Sequence, residues 1–130
     1  MNAGAILRAS GLDTEELRAE LHPVDVDRVK VLGAPKLLIR VWARGTGAIT
    51  LIRWVFVHPD LLDDDHPGLG RLIIHELVHV RQWSDYGPIP FLRRYLGEYL
   101  AGRRRGIGHR MAYWSNPLEA EARSVAERFG

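Results

Sequence analysis

The chain is organised around one apolar run, residues 69–83, which carries the pattern His-Glu-x-x-His at His75, Glu76 and His79. Residues four apart lie on the same face of an α-helix, one turn above each other. His75 and His79 can therefore direct an imidazole nitrogen to one point, as a Zn²⁺ ion requires. Glu76 lies about a third of a turn away, where it can act as a general base on a water molecule beside that ion. The pattern predicts a metal site on a helix that also carries a general base.

The residues around the motif decide between a metal site and a chance match on a surface helix. Nearly all of them are apolar: Leu72, Ile73, Ile74, Leu77, Val78, Val80 and Trp83. A helix that is hydrophobic on all sides is buried. Buried imidazoles and carboxylates are costly without partners, and a metal ion supplies a partner for all three side chains.

Composition narrows the type of site. The chain has 130 residues and no cysteine, so we expect one domain, residues 1–130, whose metal is held by histidine and carboxylate. Residues 1–9 lack the pattern of a signal peptide, and no apolar run is long enough to span a membrane. We therefore expect a cytoplasmic protein without membrane spans.

The rest of the pattern predicts an α+β fold. Three segments rich in β-formers and separated by glycine-containing turns predict an antiparallel sheet of about three strands, at residues 24–32, 36–43 and 48–57. Besides the motif helix, we expect two or three further helices. They begin near Asp13 or Thr14, follow the Gly87-Pro88-Ile89-Pro90 break, and start at Asn116-Pro117.

A catalytic zinc site usually needs three protein ligands and an open position, so a third donor must come from another element. The candidates are Glu98, His109, Glu119 and Glu121. Glu119 and Glu121 stand in the first turn of the last predicted helix, whose apolar face must pack on the core. Of the elements that carry candidate ligands, that helix is the best placed to form the second side of the site, opposite the motif helix.

His75-Glu76-Leu77-Val78-His79 followed by Leu118-Glu119-Ala120-Glu121-Ala122-Arg123 resembles the gluzincins, metallopeptidases with a glutamate third ligand on a later helix. The chain is most similar to the minimal bacterial zincin-like domains and to the catalytic core of the Ste24-type endopeptidases. The resemblance covers residues 49–57 and 69–125. It implies a zincin-like fold, a Zn²⁺ cofactor and peptide-bond hydrolysis.

The same resemblance implies roles for single residues. Glu119 begins the E-x-x-A-D pattern of those families and would be the third ligand, with Glu121 as the alternative. The chain departs from the pattern at Arg123, where an aspartate usually supports a motif histidine; Glu121 or Asp85 would have to replace it. The strand at residues 49–57 would bind an extended peptide or protein substrate. The candidate donors to the oxyanion or to the ligands are Tyr113, His109 and Arg110.

The segment after the motif is basic and offers a second type of partner. Contact with an anionic surface would involve Arg93, Arg94, Arg103, Arg104 and Arg105. We expect no specific nucleic-acid binding, because the aromatic pattern typical of such domains does not accompany these arginines. Two alternatives to a zinc metallopeptidase stay open. One is a catalytically inactive zincin-like regulatory or binding module, and the other is a basic nucleic-acid or membrane-surface domain with a coincidental motif.

Overall fold

A computed structural model describes residues 1–36, 48–62 and 67–130 of the chain. The described residues form a mixed α+β structure with six α-helices and one small sheet of three strands. The helices are α1 (Ala3–Ala9), α2 (Glu15–Leu21), α3 (Leu69–Tyr86), α4 (Pro88–Arg104), α5 (His109–Trp114) and α6 (Pro117–Phe129), and the strands are β1 (Lys30–Gly33), β2 (Ala48–Leu51) and β3 (Trp54–Val57).

Helix α3, which carries the motif, is the centre of the fold, as the apolar run predicts. Its Ile73, Ile74, Leu77 and Val78 are fully buried. It packs most extensively on α6 and also contacts α1, α4 and β2. The helix ends at Gly87, whose φ of 82° lies in the left-handed region that glycine tolerates. Helix α4 begins at the next residue, so α3 and α4 form a tight helical pair.

The sheet has three strands as expected, but the prediction that it is antiparallel is wrong. Its strand order is β1-β3-β2, with β1 parallel to β3 and β2 antiparallel to β3. The segment predicted as one strand at residues 48–57 is a hairpin instead. Ile52 and Arg53 form its turn, with Ile52 at a φ of 58°. An apolar, β-branched residue in a tight turn gives no turn signal, so the sequence pattern does not show the break.

The predicted strand at residues 24–32 is also mostly wrong. Residues Val26–Arg28 form a single 3₁₀ turn, and only the end of the segment enters the sheet as β1. The side chain of Asp25 accepts a hydrogen bond from the backbone N–H of Asp27 at 3.0 Å, which starts the turn where strand pairing was expected. The predicted strand at residues 36–43 lies, apart from residue 36, outside the described residues.

The described helices outnumber the expectation, since five accompany α3 where two or three were predicted. Helix α4 is present where a helix was predicted, but it buries only Phe91 and Gly102. Helix α5 is short and was not predicted. No helix among the described residues has the length and apolar character needed to cross a membrane.

Candidate metal centre

Three side chains from two helices converge beside the motif. Nε2 of His75 lies 3.0 Å from Oε2 of Glu119, and Nε2 of His79 lies 3.2 Å from Oε1 of the same carboxylate. Of the His, Asp and Glu side chains in residues 1–36, 48–62 and 67–130, these are the ones that form a group of three whose donor atoms lie within 4.8 Å of one another. Glu98, His109 and Glu121 do not join this group.

The spacing of these atoms suits a small divalent ion. Two donors bound tetrahedrally at about 2.0–2.1 Å lie roughly 3.3 Å apart, and the observed separations are 3.0 and 3.2 Å. Two imidazoles and one carboxylate are also a donor set that zinc favours. The residues present therefore fit the metal that the resemblance implies.

Local structure explains why Glu119 reaches the histidines. Asn116 caps α6, because its Oδ1 accepts the backbone N–H of Leu118 at 3.1 Å. The other end of the Asn116 amide donates to the backbone carbonyl of Tyr95 at 3.1 Å. Asn116 is buried, so both hydrogen bonds fix the start of α6 against α4. Glu119, in the first turn, is thereby held over the His75 and His79 face of α3.

The electrostatics of the group favour opposite charges on its members. Burial lowers the pKa of His79, but the hydrogen bond and charge of Glu119 outweigh burial and raise this pKa to about 9. Burial raises the pKa of the Glu119 carboxyl, but the hydrogen bonds from His75 and His79 outweigh it and hold this pKa well below its usual range. Glu119 is thus an anion, and it favours the protonated form of the His79 imidazole.

Gln82 orients one of the histidines and was not anticipated from the sequence. Its Oε1 lies 2.8 Å from Nδ1 of His79. Because an amide oxygen can only accept, Nδ1 carries the proton and Nε2 is directed at Glu119. The Gln82 amide nitrogen donates to the carbonyl of Leu118 at 3.0 Å and to Glu121 at 3.1 Å. The sequence signal for this orienting role is the spacing, because Gln82 follows His79 by three residues on the same helix face.

Gln82 therefore supplies the support for a motif histidine for which the sequence suggested Glu121 or Asp85. Glu121 contributes only indirectly, through its bonds to Gln82 and to Arg81, the latter at 2.6 Å. Asp85 is exposed near the end of α3. Arg123, which stands at the expected aspartate position, lies with its guanidinium carbon 3.7 Å from the centre of the Trp114 ring.

Glu76, the candidate base, is buried and held by a strand. Oγ1 of Thr50 in β2 donates to Oε2 of Glu76 at 2.7 Å. The side chain of Glu76 is 4% exposed, yet it lines both clefts that meet at the centre. Thr50 thus fixes the carboxylate toward the place where a substrate would bind. A single threonine in a predicted strand carries no sequence signal for this role.

The three predicted donors near the centre differ in position. Tyr113 lines both clefts, and burial, followed by the charge of Glu119, raises its pKa so that its hydroxyl stays protonated. His109 lies farther along one cleft, where its Nδ1 is 2.6 Å from the Tyr99 hydroxyl. Arg110 is exposed and lines neither cleft. Tyr95, which was not predicted, donates its hydroxyl to Oε1 of Glu119 at 2.8 Å.

Two clefts of different character meet at the motif. One, of about 490 Å³, runs between β2 and α4 and has mostly apolar walls, including Leu51, Trp83, Phe91 and Leu96. The other, of about 400 Å³, lies toward α6 and is bordered by Arg71, Trp114, Arg123 and Glu127. The centre is therefore open to a cleft on each of two sides.

We predict that Gln82→Met weakens metal binding by about 10–100-fold, the usual loss when a ligand's hydrogen-bond partner is removed. Methionine has a similar length but cannot accept the Nδ1 proton of His79. The measurement is a zinc titration against a chromogenic chelator, with circular dichroism to verify folding. Arg81→Met is the matched control, because Arg81 also bonds Glu121 but contacts neither histidine. Equal affinities for the two variants would contradict the orienting role.

Comparison of the chain with protein families, with curated proteins and with solved structures finds no match.

Proposed function

We propose that the protein is a zinc-dependent metallopeptidase, a hydrolase of peptide bonds. The observation that carries the proposal is the convergence of His75, His79 and Glu119 at hydrogen-bonding distances, with Glu76 beside them at the junction of two clefts. A coincidental motif would not require a third donor on another helix. Glu76 also favours catalysis over a purely structural metal site, since such a site needs no base.

The residues of the centre would divide into metal ligands and a proton-transferring base. His75, His79 and Glu119 would hold Zn²⁺, which polarises a scissile carbonyl and acidifies water when it is bound. Glu76 accepts a proton from the attacking water while the water oxygen bonds to the carbonyl carbon. Glu76 then delivers that proton to the amine nitrogen as the C–N bond breaks. Thr50 keeps the Glu76 carboxylate in position throughout.

The substrate would be a peptide or protein segment in extended conformation. Among the described residues, strand β2 is at one edge of the three-stranded sheet, and Ala48, Ile49 and Thr50 line the cleft next to Glu76. An extended peptide can add to such an edge through main-chain hydrogen bonds. Tyr113 is the best-placed of the predicted donors to stabilise the oxyanion, because it is the one of the three that lines both clefts, and burial keeps its hydroxyl protonated.

The test is a metal analysis combined with a peptide library. The purified protein should contain about one zinc per chain, and it should cleave members of a fluorogenic library in a reaction that a chelator stops and added zinc restores. Absence of divalent-metal binding by the purified protein would refute the proposal. Metal binding without cleavage of any peptide would instead favour the inactive zincin-like module.

A further inference from the structure

Helix α4 exposes an apolar stripe on the surface of the molecule. Its four members follow each other at intervals of three or four residues and are exposed to solvent by 41–67%: Ile89, Leu92, Leu96 and Leu100. Residues at this spacing share one helix face. The buried face, with Phe91 and Gly102, points elsewhere. The stripe is thus a second apolar face that the described residues leave uncovered.

Arginines border this stripe. Arg93 and Arg104 lie beside it, both on the same side of the helix, and Arg103 continues it toward the end of α4. Arg94 and Arg105 lie farther around the helix and add to the charge, while Glu98 is the one acidic residue of the helix. All five arginines are exposed, and none forms an ion pair within the described parts of the chain. The α4 face, defined as the four apolar residues with Arg93, Arg103 and Arg104, is therefore apolar along its centre and cationic along one side and at the end of the helix.

We propose that the α4 face binds the surface of an anionic lipid bilayer, with the helix lying in the plane of the interface. A helix with one apolar stripe and arginines beside it matches such a surface, because the leucines enter the acyl boundary while the guanidinium groups meet lipid phosphates. The arginine side chains are long enough to reach the headgroups from beside the stripe.

Two other occupants fit the α4 face less well. In a symmetric dimer the same patch would meet itself, so Arg93, Arg103 and Arg104 would face the same three charges of the other copy. A nucleic acid would satisfy the arginines, but its phosphate backbone offers no partner for the four exposed aliphatic side chains beside them. A bilayer interface supplies both the anions and the apolar layer.

The α4 face overlaps the apolar cleft in part. Leu92 and Leu96 line both the stripe and the cleft, whereas Ile89 and Leu100 lie outside the cleft. Docking would therefore place one wall of the cleft against the lipid interface. Ile89 and Leu100 can be changed to test docking without altering the residues that line the candidate active site.

The experiment is sedimentation with vesicles of phosphatidylcholine alone and of equal parts phosphatidylcholine and phosphatidylglycerol. We expect binding to the anionic vesicles at least about tenfold tighter than to the neutral ones, and weaker in high salt. Ile89→Glu with Leu100→Glu should reduce the binding about tenfold or more, as should Arg103→Glu with Arg104→Glu. The matched controls are Met111→Glu, at an apolar residue 57% exposed on α5, and Arg28→Glu, at an exposed arginine.

Circular dichroism and zinc content of each variant show whether it is folded with its metal centre intact, so the result does not depend on peptidase activity. Failure of the wild type to bind anionic vesicles would overturn the proposal. Equal binding by the wild type and both α4 variants would also overturn it. Salt-sensitive binding to duplex DNA without binding to anionic vesicles would assign the arginines to nucleic acid instead.

Discussion

Glu76→Gln is expected to leave zinc bound and the fold intact while peptide hydrolysis falls by about 10²–10⁴-fold, the range typical for loss of a general base. Glutamine has nearly the same shape, and its side-chain oxygen can still accept the hydrogen bond from Thr50. It cannot take up the proton of the attacking water. The loss should appear in kcat, because the substitution removes the proton acceptor and leaves the metal ligands in place.

Steady-state kinetics on a peptide cleaved by the wild type, together with metal content, measure this effect. Glu127→Gln is the matched control, since Glu127 also lines one of the two clefts but is exposed and lies on α6. Hydrolysis at the wild-type rate by Glu76→Gln would remove Glu76 from the mechanism. Loss of zinc from this variant would assign the carboxylate to the metal instead.

The second large effect is expected at the candidate third ligand. Glu119→Ala should weaken zinc binding by more than the about 10–100-fold that loss of an outer partner causes, because a donor itself disappears. His79→Ala should abolish binding for the same reason. Glu121→Ala should change the affinity far less, since its carboxylate is exposed and bonds Arg81 and Gln82.

Glu119 and Glu121 stand two residues apart near the start of α6, so each controls for the other's effect on this helix. Calorimetric zinc titration of the folded variants gives the order of affinities. The reverse order, with Glu121→Ala the weaker binder, would move the third ligand to Glu121. Unchanged affinity in His79→Ala would contradict the whole site.

The two helices that carry the candidate site could be predicted from the sequence because their signals are local. The apolar run gives the buried α3, and Asn116-Pro117 gives the start of α6 as observed. Those two elements suffice to bring Glu119 within reach of His75 and His79. Its role as a metal ligand remains a prediction that the Glu119 and Glu121 variants test.

The pairing of the strands and the roles of Thr50 and Gln82 could not be predicted, because they depend on contacts between distant segments. The parallel pairing of β1 with β3 is not encoded in either strand alone. The turn at Ile52 interrupts an unbroken β-forming pattern. Thr50 and Gln82 acquire their roles only when β2 and α6 pack against α3. Propensity describes one segment at a time, whereas these roles arise from tertiary packing.

The donor positions on α3 and α6 have a mechanical consequence in a chain with no cysteine. The segment between His79 and Glu119 contains all of α4 and α5. An ion held at both ends of that segment would cross-link α3 to α6. Because its ligands come together only in the folded chain, the free energy of metal binding would add to the stability of the fold. The zinc ion that we propose would then also hold together the helices on which the cleft depends.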